Sequence, residues 1–301
     1  MKKAIAMVVC AVLLASASFG VSAASSPAFS SMNITDEDGL TEDVRYTLPP
    51  VEDGEERTID LTPQEGLIML NGSFVNNARV LTLEMGQYVP VRAVIEGLGG
   101  TVTWNGSEQS VTVQIGGDTL RFAINGKTSV LNGVAQSLAV LGSAKLVGGS
   151  TYIPLGFVGE LLALPTYLLT GAKTADGIRF APCDMVAIYA EDPEIAFDED
   201  ELTDHVKNEL TKALENSKAS NAEDRFATEF AAVVPEIEED ITNTIYHGNF
   251  GRYALFTGPY PIWVDMETKA IYFFAYGNAF ASLYEIDAAE VSLFWHLYIA
   301  G

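Results

Sequence analysis

The feature that most constrains the fold is a short motif that occurs twice. YVPVRAVIEGLGG occupies residues 88–100, and YIPLGFVGELLAL occupies residues 152–164. In both, a proline follows a short apolar stretch and precedes apolar residues at helical spacing, and proline suits the first turn of a helix because its missing N–H is not needed there. Gly99 can adopt the left-handed conformation that ends a helix. The motif therefore predicts a strand followed by a short helix in each copy.

The surrounding sequence extends this repetition. IMLNG at 68–72 returns as SVLNG at 129–133, so we predict two copies of one unit within residues 67–183. After the first helix, TVTW at 101–104 alternates in polarity and precedes NGSEQ and SVTVQI, which is typical of a hairpin. A second hairpin is indicated where TLRFAI at 119–124 is followed by an Asn-Gly turn and TSVL.

These residues resemble the copper amine oxidase N-terminal-like domain, also called a stalk domain. The resemblance rests on Tyr88, Pro90, Arg92, Glu96, Leu98, Gly99 and Trp104 in the first copy and on Tyr152, Pro154 and Glu160 in the second. It implies a secreted or envelope protein of a Gram-positive bacterium, in which a structural module carries a variable partner domain. The second copy departs from the pattern, because Gly156 stands in the place of Arg92. The i, i+4 spacing of Arg92 and Glu96 favours a surface ion pair over a binding role.

The resemblance does not imply amine oxidation, because the domain is an appendage of those oxidases. Their catalytic core has a tyrosine preceded by asparagine and a histidine cluster, and this chain contains no Asn-Tyr pair. The three histidines, His205, His247 and His296, are too widely spaced for a short metal-binding motif. We therefore expect no amine oxidase activity, no cofactor, no metal and no catalytic residue.

The N-terminus has the pattern of a secretory signal peptide. Lys2 and Lys3 precede an apolar run at residues 4–17, and small residues lead up to Ala23, so we expect residues 1–23 to be removed during export. Secretion predicts an extracellular or wall-associated location. Only Cys183 then remains, which excludes an internal disulfide and leaves open a free thiol or a bond between chains.

Charge is distributed unevenly along the chain. Residues 24–66 sum to −9, residues 67–183 to +1 and residues 184–301 to −17. The first segment is rich in Ser, Pro, Asp and Glu and predicts an acidic flexible leader. The negative excess disfavours nucleic acid and anionic membrane surfaces as partners, and no later segment suits a membrane span. Calcium is a conceivable partner, although no calcium-binding motif supports it.

The C-terminal segment, 184–301, predicts an acidic α+β domain that resembles no family. An amphipathic helix is indicated near residues 198–218, a second one follows to about residue 245, and five aromatic-rich strands come after it. Together with the stalk unit this predicts the α+β class for the chain. One face of the terminal sheet must meet the helices. The other face is either exposed for binding or covered by the neighbouring domain, and the binding candidates are Tyr260, Trp263, Tyr276 and His296.

Two functions are compatible with these features. The first is a non-enzymatic binding or scaffolding protein of the cell envelope, which uses the stalk module to display the C-terminal domain to a wall polymer or another envelope protein. The alternative is a hydrolase of cell-wall polysaccharide or peptidoglycan, since stalk modules often accompany such enzymes.

Overall fold

The computed structural model contains two structural units rich in β-strands. It describes residues 29–32, 44–48, 57–61, 65–83, 86–171, 183–221, 227–258, 261–276 and 280–285. The strands form three sheets and are accompanied by helices, so the predicted α+β class is confirmed. The predicted signal peptide lies outside the described residues.

The first unit, the stalk unit, contains a large sheet that we call the large stalk sheet. Its strands are β1 Phe29–Met32, β4 Glu65–Leu70, β5 Ser73–Phe74, β6 Val80–Leu83, β7 Gly86–Pro90, β13 Lys145–Val147, β14 Ser150–Pro154, β15 Thr166–Leu169 and β16 Met185–Ile188. They are ordered β1-β15-β16-β4-β6-β7-β14-β13, and β5 pairs with β4. β4 changes partner along its length, because Glu65 and Gly66 pair with β6 while Leu67–Leu70 pair with β16.

A second sheet of the stalk unit, the small stalk sheet, is an antiparallel meander. Its strands are β8 Thr101–Asn105, β9 Ser110–Ile115, β10 Asp118–Ala123, β11 Thr128–Leu131 and β12 Val134–Ser137. They follow one another in chain order from β8 to β12. Short turns join the neighbouring strands, and two of them have the sequences Asn-Gly and Gly-Gly, which favour tight hairpins.

The core of the stalk unit lies between its two sheets. Helix α1, Val91–Gly97, and a π-helical turn, Phe157–Leu161, contribute buried side chains to one apolar cluster. That cluster also contains residues of the large sheet, such as Val89, and of the small sheet, such as Val113 and Phe122. The apolar positions of the repeated motif therefore build a core.

The two stretches that carry the motif pair with each other. β7 and β14 run antiparallel, with Tyr88 opposite Pro154 and Pro90 opposite Tyr152. Each tyrosine thus lies across from the proline of the other stretch, and the two helical segments leave the sheet in opposite directions. Whether the two stretches are copies of one unit stays a prediction.

Both helical segments end with a residue in the left-handed conformation. Gly99 has a φ of +86°, and Ala163 has a φ of +50° in the second stretch. Left-handed backbone disfavours a residue that carries a Cβ, by about 1 kcal/mol. We expect Ala163→Gly to stabilise the protein and Gly99→Ala to destabilise it, each by about 1 kcal/mol. Chemical denaturation of both variants tests this, and a destabilising Ala163→Gly would contradict it.

The second unit, the C-terminal unit, has helices on one face of a sheet. Helices α2, Glu199–Asn221, and α3, Ala227–Thr242, pack against the C-terminal sheet. This sheet contains β2 Val44–Leu48, β3 Arg57–Leu61, β17 Ile245–Phe250, β18 Tyr253–Thr257, β19 Pro261–Asp265, β20 Ile271–Tyr276 and β21 Phe280–Glu285. Its strands are ordered β17-β18-β19-β20-β21-β2-β3. The predicted helical stripe of α2 is buried in the core formed with the sheet, as Leu202, Val206 and Leu210 show.

Two segment boundaries differ from the sequence prediction. The predicted flexible leader, 24–66, contains three whole strands and the first two residues of β4, and the prediction is wrong for these: β1 pairs with β15, β2 and β3 join the edge of the C-terminal sheet at β21, and the start of β4 pairs with β6. The second difference is β16, predicted as the start of the C-terminal domain, which instead lies between β15 and β4 in the large stalk sheet. Both errors have the same cause, because pairing between strands distant in sequence leaves no local signal.

The helices and strands of the C-terminal unit also differ in detail. Pro235, a residue that usually breaks a helix, lies inside α3, which runs through it to Thr242. Ile245, predicted to continue the helix, begins strand β17. The last of the five predicted strands lies outside the described residues.

Candidate functional site

The residues of the stalk motif are mainly structural in this fold. Tyr88, Pro90 and Pro154 are buried on adjacent strands, and Leu98 closes the helix at the edge of the core. Tyr152 is partly buried on β14, and Glu160 is exposed on the π-helical turn. The motif thus does not bring polar side chains together around a cleft.

Trp104 differs from the rest of the motif. Its position on β8 lies opposite Val111, a core residue, but β8 is the edge of the small stalk sheet and 44% of Trp104 is exposed. No strand on its outer side covers the indole within the described sheet. Trp104 is therefore the one motif residue with a large apolar surface available to a partner, among those that the structure describes.

Arg92 and Glu96 form an ion pair on the exposed face of α1. The guanidinium donates to the carboxylate over 2.7 Å at i, i+4 spacing, and both side chains face solvent. Exposed pairs of this kind contribute at most about 0.5 kcal/mol and are screened by salt. Arg92→Ala should therefore lower the free energy of unfolding by no more than about 0.5 kcal/mol, and less at 1 M salt. Urea denaturation at two salt concentrations measures this, and a loss of several kcal/mol would assign Arg92 a different role.

The aromatic face of the C-terminal sheet, one of two alternatives for a binding surface in the sequence analysis, is covered around Trp263. The face toward α2 and α3 contributes Phe256 and Ile262 to the core with the helices. On the opposite face, Trp263 contacts Phe250 and Tyr253, with ring centroids 5.5 and 6.0 Å apart. Trp263 is only 1% exposed. The prediction of Trp263 as a binding residue is therefore wrong, because the alternative of a sheet covered on both faces applies to it.

The stalk unit supplies part of this cover, and the contact between units is specific. The hydroxyl of Tyr253 donates to the backbone carbonyl of Gly72 over 3.0 Å, across the two units. The hydroxyl of Tyr189, which follows β16, accepts a hydrogen bond from the backbone N–H of Arg252 at 3.1 Å. Gly251 allows this approach, because its φ is +60° and a Cβ there would collide with the ring of Tyr189. We call these residues the junction.

Burial shapes the electrostatics of the junction. It raises the pKa of Tyr253 and of Tyr189 above the ordinary phenol value, so both hydroxyls stay protonated at neutral pH. Beside them the guanidinium of Arg252 pairs with the carboxylates of Asp265 and Glu267. The carboxylate of Asp265 also accepts a hydrogen bond from the backbone N–H of Glu267 at 3.0 Å. Local sequence patterns do not predict this network, apart from the Gly251-Arg252 turn that precedes an aromatic strand.

The two histidines in the described residues do not face each other across a cleft. His205 Nε2 lies 3.0 Å from the backbone carbonyl of Lys269, which can only accept, so this nitrogen carries a proton. His247 Nε2 lies 2.8 Å from the hydroxyl of Thr257. Burial lowers the pKa of His247, which keeps its imidazole neutral at pH 7. Both rings serve local packing and hydrogen bonding.

Three binding candidates remain besides Trp263. Tyr260 and His296 lie outside the described residues, and Tyr276 is described only as the last residue of β20. Cys183 is buried at the start of the segment that leads into β16. In the part of the chain that the structure describes, no cluster of three or more His, Cys, Asp or Glu side chains could hold a metal ion.

Comparison with known families identifies one part of the chain. Residues 69–166 match the copper amine oxidase N-terminal domain, so this part, which lies within the stalk unit, is similar to that domain. The predicted resemblance is confirmed for these residues. Among curated proteins, none matches the chain significantly.

None of the described helices is both long enough and apolar enough to cross a lipid bilayer.

Proposed function

We propose that the chain is a non-enzymatic binding or scaffolding protein of the cell envelope, in which the stalk unit displays the C-terminal unit. In this proposal residues 1–23 direct secretion, the stalk comprises two copies of one unit, and the host is a Gram-positive bacterium. The protein then lies outside the cell or on its wall. Its partner is a wall polymer or another envelope protein.

The observation that carries the proposal is the junction between the two units. Tyr253 and Tyr189 make hydrogen bonds across it, and Trp263 is buried beside it. Buried hydrogen bonds and aromatic packing hold two units in a fixed orientation, unlike a linker that leaves them free to move. A support that fixes its cargo in this way is what a display function requires.

The charges of the two units support the same arrangement. The exposed first turn of α2 carries Glu199, Asp200 and Glu201, and the segment from residue 184 onward sums to −17. Wall polymers that are anionic repel this unit, whereas the stalk segment at +1 can approach them. The stalk unit is therefore the part of the protein that contacts the wall, and the helices of the C-terminal unit point away from it.

Sedimentation with purified Gram-positive wall sacculi tests the proposal. The chain from residue 24 onward should sediment with sacculi at about 0.15 M salt, where surface electrostatics are screened beyond roughly 8 Å. It should release no soluble wall fragments during the incubation. A chain that stays in the supernatant contradicts wall binding, and loss of turbidity with release of fragments favours the alternative of a wall hydrolase.

The test uses the undivided chain for a structural reason. β16 belongs to the stalk sheet, and β2 and β3 belong to the C-terminal sheet, so a cut at residue 183 or 66 separates paired strands. Fragments would expose the aromatic face around Trp263 and could bind walls nonspecifically.

A further inference from the structure

The outward side of the small stalk sheet is an exposed surface that the junction does not use. Val111 and Val113 of β9, like Leu120 and Phe122 of β10, point into the stalk core. Side chains alternate along a strand, so the intervening residues point away from the core. The pairing of the strands places these in one row across the sheet: Thr103, Thr112, Arg121, Val130 and Ala135. We call this row the outer face, together with the outward residues beside it: Thr101, Asn105, Ser110 and Gln114.

Hydroxyl and amide groups dominate the outer face. Beside the row, Thr101 lies opposite Gln114, and its hydroxyl donates to the side-chain carbonyl of Gln114 at 3.3 Å. On the other side of the row, Asn105 is exposed and lies opposite Ser110, which is only 5% exposed. Thr101, Thr103 and Gln114 are exposed. These groups donate and accept hydrogen bonds without carrying charge.

The one cation of the outer face is neutralised within the sheet. Arg121 forms an ion pair with Glu108, in the turn between β8 and β9. The same carboxylate oxygen of Glu108 accepts hydrogen bonds from the side chains of Asn105, at 2.9 Å, and Ser110, at 3.2 Å. The outer face is therefore uncharged in sum, in a chain whose formal net charge is −23.

We propose that the outer face binds an uncharged polysaccharide chain of the cell envelope, an inference that rests on the proposed envelope function. The absence of net charge on the outer face favours an uncharged ligand. An anionic polymer would gain no free cation there and would be repelled by the rest of the protein, and a cationic partner would meet stronger attraction at the acidic C-terminal unit. A neutral chain rich in hydroxyl groups can exchange hydrogen bonds with the Thr, Asn and Gln side chains of this face directly or through water.

A pair of opposite charges at one position tests the proposal. Thr103 lies in the row on edge strand β8 and is exposed, so the variants Thr103→Lys and Thr103→Glu should fold normally. Thr211→Lys and Thr211→Glu on the exposed side of α2 are the matched controls. The probes are chitin, an uncharged polysaccharide, and sacculi from which the phosphate-containing polymers have been extracted. Binding is measured by sedimentation of the chain from residue 24 onward.

We expect both Thr103 variants to bind each probe at least about tenfold more weakly. A bound glycan removes water from the new charge, and a neutral glycan offers no opposite charge in its place. The Thr211 controls should bind like the unchanged chain. Stronger binding of Thr103→Lys would show an anionic ligand, and unchanged binding of both Thr103 variants would show that the face is not used. If light scattering shows that the unchanged chain is a dimer and the Thr103 variants are monomers, the outer face binds a second copy of the chain. Each of these three results overturns the proposal.

The same experiment separates this inference from the proposed function. If the unchanged chain does not sediment with untreated sacculi, wall binding itself fails. If it does, and the Thr103 variants sediment equally well, only the assignment of the outer face fails.

Discussion

Replacing Trp263 with alanine is expected to lower the free energy of unfolding by about 3–5 kcal/mol, the usual cost of removing a large buried aromatic side chain. The indole is 1% exposed and contacts Phe250 and Tyr253 at the face that meets the stalk unit. Its loss leaves a cavity next to the junction. Chemical denaturation of the full chain measures the effect. If the C-terminal unit of the variant unfolds in a separate transition at lower denaturant concentration, the junction couples the unfolding of the two units in the unchanged chain.

Trp104→Ala is the matched control for this substitution. The same side chain is removed, but 44% of it is already exposed at the edge of the small stalk sheet. The expected loss is about 1 kcal/mol or less. Equal losses for the two tryptophans would contradict the buried position of Trp263.

Asp265→Ala is expected to destabilise the protein by about 2–4 kcal/mol, because it leaves the guanidinium of Arg252 without its buried partner. The substitution also removes the acceptor for the backbone N–H of Glu267 at the start of the turn between β19 and β20. This loss of stability is smaller than that for a fully buried ion pair, because Arg252 is partly exposed to solvent and keeps its ion pair with Glu267.

Glu267→Ala provides the comparison on the same arginine. The Glu267 carboxylate lies 3.0 Å from the guanidinium, but its side chain is 66% exposed, against 2% for Asp265. Its removal should cost less than about 1 kcal/mol. A double variant that lacks both carboxylates measures the coupling energy between them. If Glu267→Ala lowers the free energy of unfolding more than Asp265→Ala does, Asp265 is not the main partner of Arg252.

Local sequence patterns were sufficient for the elements whose partners lie nearby in sequence. The proline and apolar spacing of residues 88–100 predicted β7 and α1, and the stripe of Leu202 and Val206 predicted α2. These signals are local because a helix and a short hairpin satisfy their backbone hydrogen bonds within about a dozen residues.

Propensity rules were misleading where packing decides the structure. Pro235 costs α3 a backbone hydrogen bond, yet Phe230 and Ile237 on either side of it are buried against the C-terminal sheet, and their packing outweighs the loss. Tertiary contacts of this kind leave no mark on the local pattern.

The candidate site was the least predictable part of the molecule. Alternation indicated that the aromatic strands have two faces, but it did not show that the second face near Trp263 is covered. The junction depends on Tyr189 and Arg252, which are far apart in sequence and meet only in the folded protein. The outer face could not be identified in advance either, because it requires the register of five strands rather than the residues of any one.

Along the chain, β1 lies in the large stalk sheet, β2 and β3 lie in the C-terminal sheet, β4 to β16 lie in the stalk unit, and β17 to β21 return to the C-terminal sheet. Three covalent crossings therefore join the units, between Met32 and Val44, between Leu61 and Glu65, and between Tyr189 and Glu199. A protease that cuts one crossing leaves the other two intact, so in the proposed envelope role the release of the C-terminal unit from the stalk would require three cuts. Mechanical load between the units would likewise be shared among three stretches of polypeptide.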